Sequence, residues 1–127
     1  MKQKITFALR ILFGTAFLIF GLNGFFNFMP TPPMSAAAGE LMMALGKTGF
    51  FFPFVKSVEV VAGFFILANL FLPLGLVLIF PLMVGITLIH FFLNQAGLPI
   101  MFILHGMHAF LVLSYWKNFK SVLALKA

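Results

Sequence analysis

Four apolar runs, each close to the length of a bilayer crossing, follow one another along the chain with little between them. They cover about residues 7–26, 52–70, 74–93 and 100–116. A spanning helix needs about 20 mostly apolar residues, so each run predicts one transmembrane helix. The connections after the second and third runs are short, Asn69 to Pro73 and Asn94 to Pro99, which forces antiparallel neighbours. The expected architecture is all-α: a polytopic membrane four-helix bundle forming one domain over residues 1–127. Pro81 inside the third run predicts a kink.

Between the first two runs lies the one sizeable connection, residues 28–51. Pro30-Thr31-Pro32-Pro33 disfavours helix and gives a stiff, extended exit. Ser35 can then cap a short helix reaching about Leu45, with Gly46 and Gly49 as stops. Met34, Ala37, Ala38, Leu41, Met42 and Leu45 recur at helical spacing. That stripe predicts an interfacial helix on the outer surface, too short to span. Gly14, Gly21 and Gly24 in the first run predict close helix approach.

Composition agrees with lipid as the solvent. The chain is 63% hydrophobic and 8% charged, and a soluble protein of this size could not bury that much apolar surface. Of eight basic residues, six sit at the two tails: Lys2, Lys4, Arg10, Lys117, Lys120 and Lys126. That distribution predicts both termini on the cytoplasmic side, with Arg10 as a cytoplasmic anchor snorkelling to headgroups. The net charge of +6 comes with no basic face or stacking platform, so nucleic acid is not an expected partner. The first run exceeds the length of a signal-peptide core, and prolines part it from Ala36-Ala37-Ala38, so it reads as an uncleaved anchor. With no cysteine, the chain itself supplies no thiol chemistry or thiolate-ligated cluster.

Counting about 1.5 Å per residue along each predicted span places most intramembrane polar residues in the outer half. Lys56 and Glu59 enter within two turns of the start of the second span, three apart and able to pair. His90 lies near the outer end of the third span, and His105 and His108 in the outer half of the fourth. Asn23 and Asn27 end the first span on that side. Ionisable groups in lipid are costly unless paired, so Asn23, Lys56, Glu59, His90, His105 and His108 are expected to converge in one outer pocket. A bare structural role for the Lys56–Glu59 pair, fixing helix register, is the competing reading. His105, His108, His90 and Glu59 are residue types that zinc or iron accepts, but loosely spaced histidines also hydrogen-bond across helices. Neutral histidines and no metal are expected. No nucleophile elbow or phosphate-binding glycine loop is present, so no catalytic residue is assigned.

A family resemblance adds to this reading. Arg10-Ile-Leu-Phe-Gly14, Gly21-Leu-Asn23-Gly24-Phe-Phe, Pro-Thr-Pro-Pro, Val55-Lys56-Ser-Val-Glu59-Val-Val-Ala-Gly63 and the stretch from Pro81 to His90 occur in that order. Together they resemble the DoxX family of small bacterial membrane proteins, over nearly the whole chain. The resemblance implies a four-helix protein of the bacterial inner membrane. It also implies roles near thiosulfate:quinone oxidoreduction, thiol-stress complexes or, in distant relatives, membrane-protein assembly. Some members carry lysine where this chain has Asn23. Arg10, Asn23, Lys56, Glu59 and His90 are the positions carried over; His105 and His108 rest on the spacing argument alone.

These readings converge on a non-enzymatic membrane subunit whose outer pocket holds a small amphipathic ligand, a quinone or a lipid, for a membrane or extracytoplasmic redox partner. Two alternatives stand beside it: a proton-coupled or small-solute transporter, and an assembly factor that recognises other helices. The glycine-bearing faces would also serve an oligomer.

Overall fold

The computed structural model describes residues 1–126. Five α-helices form from the predicted pattern: α1 (Lys2–Phe26), α2 (Ala36–Lys47), α3 (Phe51–Ala68), α4 (Leu72–Leu93) and α5 (Leu98–Ser114). No strand occurs among the described residues. Four helical segments, Lys2–Phe26, Phe51–Ala68, Leu72–Leu93 and Gln95–Ser114, are long and apolar enough to cross a membrane. They close into a ring in which α1 packs on α3, α3 on α4, α4 on α5, and α5 back on α1. Both termini and the α3–α4 turn lie at one end of this ring, here the terminal end. The α1–α2–α3 connection and the α4–α5 turn lie at the other, the loop end.

Helix ends follow local chemistry. Asn69 takes the left-handed conformation, φ 57°, which lets the Leu70 N–H donate back to the Phe65 carbonyl at 3.0 Å and terminates α3. Ser35 caps α2, its Oγ accepting from the Ala38 N–H at 3.1 Å. The helix runs through Gly46, expected as a stop, to Lys47; the reversal comes at Gly49, whose φ of 78° suits glycine. Of the predicted stripe on α2, Ala38 is buried and Leu41, Met42 and Leu45 are half-buried, while Met34 and Ala37 are exposed. α1 begins at Lys2, earlier than the apolar run, so that Lys2 and Lys4 lie on the helix itself.

The tightest seam joins α1 to α3. A Cβ added at Gly14 would stand 2.7 Å from the backbone nitrogen of Leu67, and one at Gly21 would stand 2.8 Å from that of Val60. Gly24 lies under the aliphatic stem of Lys56. As the α1 number rises from 14 to 24 the α3 partner falls from 67 to 56, the signature of an antiparallel pair. Lipid offers helices no hydrophobic drive toward one another, so close van der Waals contact at small residues carries the association. The glycine faces of α1 are thereby used inside the chain. Phe13, Phe17, Ala62, Ile66, Leu76, Ile79, Met83 and Leu111 fill the centre at 0–2% exposure.

Candidate ligand-binding site

At the loop end, α3 and α4 flank a cavity of about 490 Å³. Its walls are largely apolar: Phe51, Phe52 and Val55 from α3, and Pro81, Leu82, Gly85, Ile86 and Ile89 from α4. Pro32, Pro33 and Met34 of the connection, with Ala38 and Met42 of α2, complete the lining. Two local features shape the space. Pro81 lies inside α4 with no N–H to offer its ladder, and its ring forms part of the wall. Gly85, one turn further on, presents no side chain, and a Cβ there would meet nothing within 4 Å. The covering segment is fastened by Ser35, whose Oγ also donates to the Leu93 carbonyl, and whose N–H reaches Asn94 Oδ1 at 3.4 Å.

Three of the six residues expected to converge do meet here: Lys56, Glu59 and His90. Lys56 Nζ donates to Glu59 Oε2 at 3.1 Å, with Glu59 only 3% exposed and Lys56 27%. Every buried side-chain nitrogen or oxygen among the described residues has a partner. Glu59 Oε1, which accepts no hydrogen bond, is therefore accessible and opens on the cavity. His90 Nδ1 lies 3.2 Å from the Asn94 carbonyl. A carbonyl can only accept, so Nδ1 carries the proton and Nε2 is left as an acceptor. Gly97 gives the imidazole its place, since a Cβ there would collide with the ring. The cavity thus offers an ammonium donor, a carboxylate acceptor and an imidazole acceptor against an apolar wall.

The other three expected residues are held elsewhere. Asn23 Oδ1 accepts from the Met29 N–H at 2.7 Å and closes the C-terminal end of α1; a free backbone donor following the helix claimed it. His105 and His108 face α4 at the α4–α5 seam and do not line the cavity. His105 Nε2 lies 2.8 Å from Thr87 Oγ1, whose own proton goes to the Met83 carbonyl at 2.7 Å. His108 Nε2 donates to the Leu76 carbonyl at 2.9 Å, and its ring stacks on Phe80 with centroids 5.3 Å apart. Both therefore act as interhelical donors carrying the Nε2 proton. Among the described residues no three histidine or acidic side chains gather as a metal-binding group, so the ligand set of His90, His105, His108 and Glu59 does not form. Thr87, which sequence reasoning passed over, is the acceptor that fixes His105.

Arg10 lies at the terminal end, held by the end of α3. It is 8% exposed, and its Nη1 donates to the carbonyls of Ile66 at 3.1 Å and Leu67 at 2.8 Å. It closes the C-terminal end of α3, where a cation meets unpaired carbonyls and the negative end of the helix dipole. That bonding fixes one guanidinium nitrogen against the end of α3.

Four helices long and apolar enough to span, with a cavity between two of them that pairs an apolar wall with a short polar rim, define a multi-pass membrane helical bundle. No family model matches the chain, and no curated protein or solved structure matches it.

Proposed function

We propose that this chain is a DoxX-like, non-enzymatic membrane subunit that holds one small amphipathic molecule, a quinone or a lipid, in the loop-end cavity for a redox partner. The observation that carries the reading is the convergence of Lys56, Glu59 and His90 at one apolar cavity of about 490 Å³. A quinone or lipid ester presents carbonyl or hydroxyl groups on an apolar body, which matches donors and acceptors set in an apolar wall. The order of motifs that resembles the DoxX family supports the same reading. Transport fits less well, because Phe13, Phe17, Ala62 and Ile79, at 0–2% exposure, fill the bundle between its two ends.

The decisive test is Gly85→Leu. A Cβ at Gly85 meets nothing within 4 Å, so the new side chain can project into the cavity and occupy the part of it beside α4. Thermal stability should stay within about 1 kcal/mol of wild type, while lipid and quinone recovered by solvent extraction and mass spectrometry should fall clearly below wild type. A stable variant that retains the same extracted molecule would refute the binding role.

The proposal places the cavity on the extracytoplasmic side of the bacterial inner membrane, with both termini cytoplasmic. Six of eight basic residues lie at the terminal end, in keeping with the positive-inside bias. Since the chain has no cysteine, single cysteines at Thr31, Ser121 and Lys126 report sidedness without background. An impermeant maleimide added to intact cells should label Thr31→Cys and spare the other two; the opposite pattern would invert the topology.

A further inference from the structure

The terminal end holds a second cavity, of about 400 Å³, that the ligand reading does not use. Lys2, Gln3, Thr6, Phe7 and Arg10 of α1 line it, with Asn69 from the α3–α4 turn and Ser114 and Tyr115 from the end of α5. We propose that this cavity is an anion site that binds a phosphate group.

Its chemistry is one-sided. Two cations, Lys2 and Arg10, line it together with the amides of Gln3 and Asn69 and the hydroxyls of Ser114 and Tyr115. No acidic side chain lies among the lining residues. The chain has only two acidic residues: Glu59, paired with Lys56 at the loop-end cavity, and Glu40 on α2. Lys4, Lys117 and Lys120 stand near this end of the bundle, so the local field is positive with no carboxylate side chain to offset it.

Arg10 is built into the site rather than swung over it. Both of its hydrogen bonds to α3 are made by Nη1. Nε and Nη2 make no hydrogen bond within the protein and neither is fully buried, and Arg10 is among the residues that line the cavity. The guanidinium is thus immobilised by one nitrogen while it offers others to a ligand, a fork that suits phosphate oxygens. Lys2, Thr6 and Arg10 recur every four residues on one face of α1, and Thr6 Oγ1 lies 3.4 Å from Ser114 Oγ, which ties that face to α5. At about 30 Å³ per water volume, the space holds a phosphate with part of the alcohol esterified to it. The basic tails set this end at the level of the lipid headgroups, so an acidic phospholipid and free phosphate are the two sources of the group.

The test uses the full chain, delipidated in a neutral detergent at physiological ionic strength and followed by native mass spectrometry and thermal shift. The probes are dihexanoyl phosphatidylglycerol, dihexanoylglycerol and inorganic phosphate. Phosphatidylglycerol should bind and raise Tm with a strength that depends on Lys2, while dihexanoylglycerol, which lacks only the phosphoglycerol, should be confined to the loop-end cavity and be indifferent to Lys2→Gln. If inorganic phosphate competes, free phosphate suffices; if it does not, the lipid is the source; either result upholds the site. Lys2→Gln should weaken phosphatidylglycerol binding about fivefold and leave the Tm of the lipid-free protein unchanged, because Lys2 is exposed. Arg10 is left intact, since its replacement would unpair the carbonyls of α3. A Lys2→Gln variant that binds phosphatidylglycerol as wild type does, or one that loses dihexanoylglycerol to the same extent, would overturn the proposal.

Discussion

Gly63→Leu is expected to abolish the folded bundle, or to lower its stability by about 3 kcal/mol or more. A Cβ at this position would stand 2.5 Å from the backbone nitrogen of Leu18 and 2.9 Å from the carbonyl oxygen of Gly14. Both obstacles are backbone, so no rotamer change clears them. α1 and α3 would have to separate, and the Gly14–Leu67 and Gly21–Val60 contacts would go with them. In lipid that loss is not recovered by burying apolar surface, because the acyl chains are as apolar as the helices. Gly106→Leu is the matched control. It lies on α5, where a Cβ meets nothing within 4 Å, and should leave stability within about 0.5 kcal/mol. Thermal unfolding in detergent, followed by circular dichroism, measures both. Equal Tm values for the two variants would mean that the glycine seam does not hold the bundle together.

Much of this fold could be read from hydropathy, because a bilayer core permits few backbone solutions other than helices. The spans, the cap at Ser35, the turn at Asn69 and the pairing of Lys56 with Glu59 all depend on sequence-local rules. The candidate site was less legible, for a geometric reason. Spacing along a helix gives depth and relative face, but not which way that face is turned within the bundle. His105 and His108 lie at the expected depth, yet their face of α5 meets α4 outside the α3–α4 opening. Asn23 and Arg10 illustrate a second reason. Each lies beside unsatisfied backbone groups, the Met29 N–H for one and the end of α3 for the other, and those near partners claimed the side chain. A depth count cannot register such competition. The polar cavity at the terminal end was hidden because Lys2, Asn69 and Ser114 come from the start of α1, the α3–α4 turn and the end of α5, distant in sequence, and only folding sets them side by side.

The Lys56–Glu59 pair separates a structural role from a binding role most sharply. Glu59→Gln alone leaves the Lys56 ammonium against a neutral amide, with the partner site only 3% exposed. Loss of a charged hydrogen-bond partner there should cost about 1–3 kcal/mol, so a failure of ligand retention in that variant would be ambiguous. The double variant Lys56→Met, Glu59→Gln removes the ion pair together. A buried pair contributes little beyond well-packed neutral side chains of similar size, and the double change should lie within about 1 kcal/mol of wild type. The stem of Met can still cover Gly24 as that of Lys56 does, which keeps the α1–α3 seam closed. The cavity nevertheless loses both of its charged groups and keeps only His90 and a neutral amide at position 59. The expected outcome is a bundle with wild-type Tm from which no lipid or quinone is extracted. If the double variant is stable and still carries the wild-type molecule, the pair serves helix register alone, and the apolar wall with His90 must account for binding.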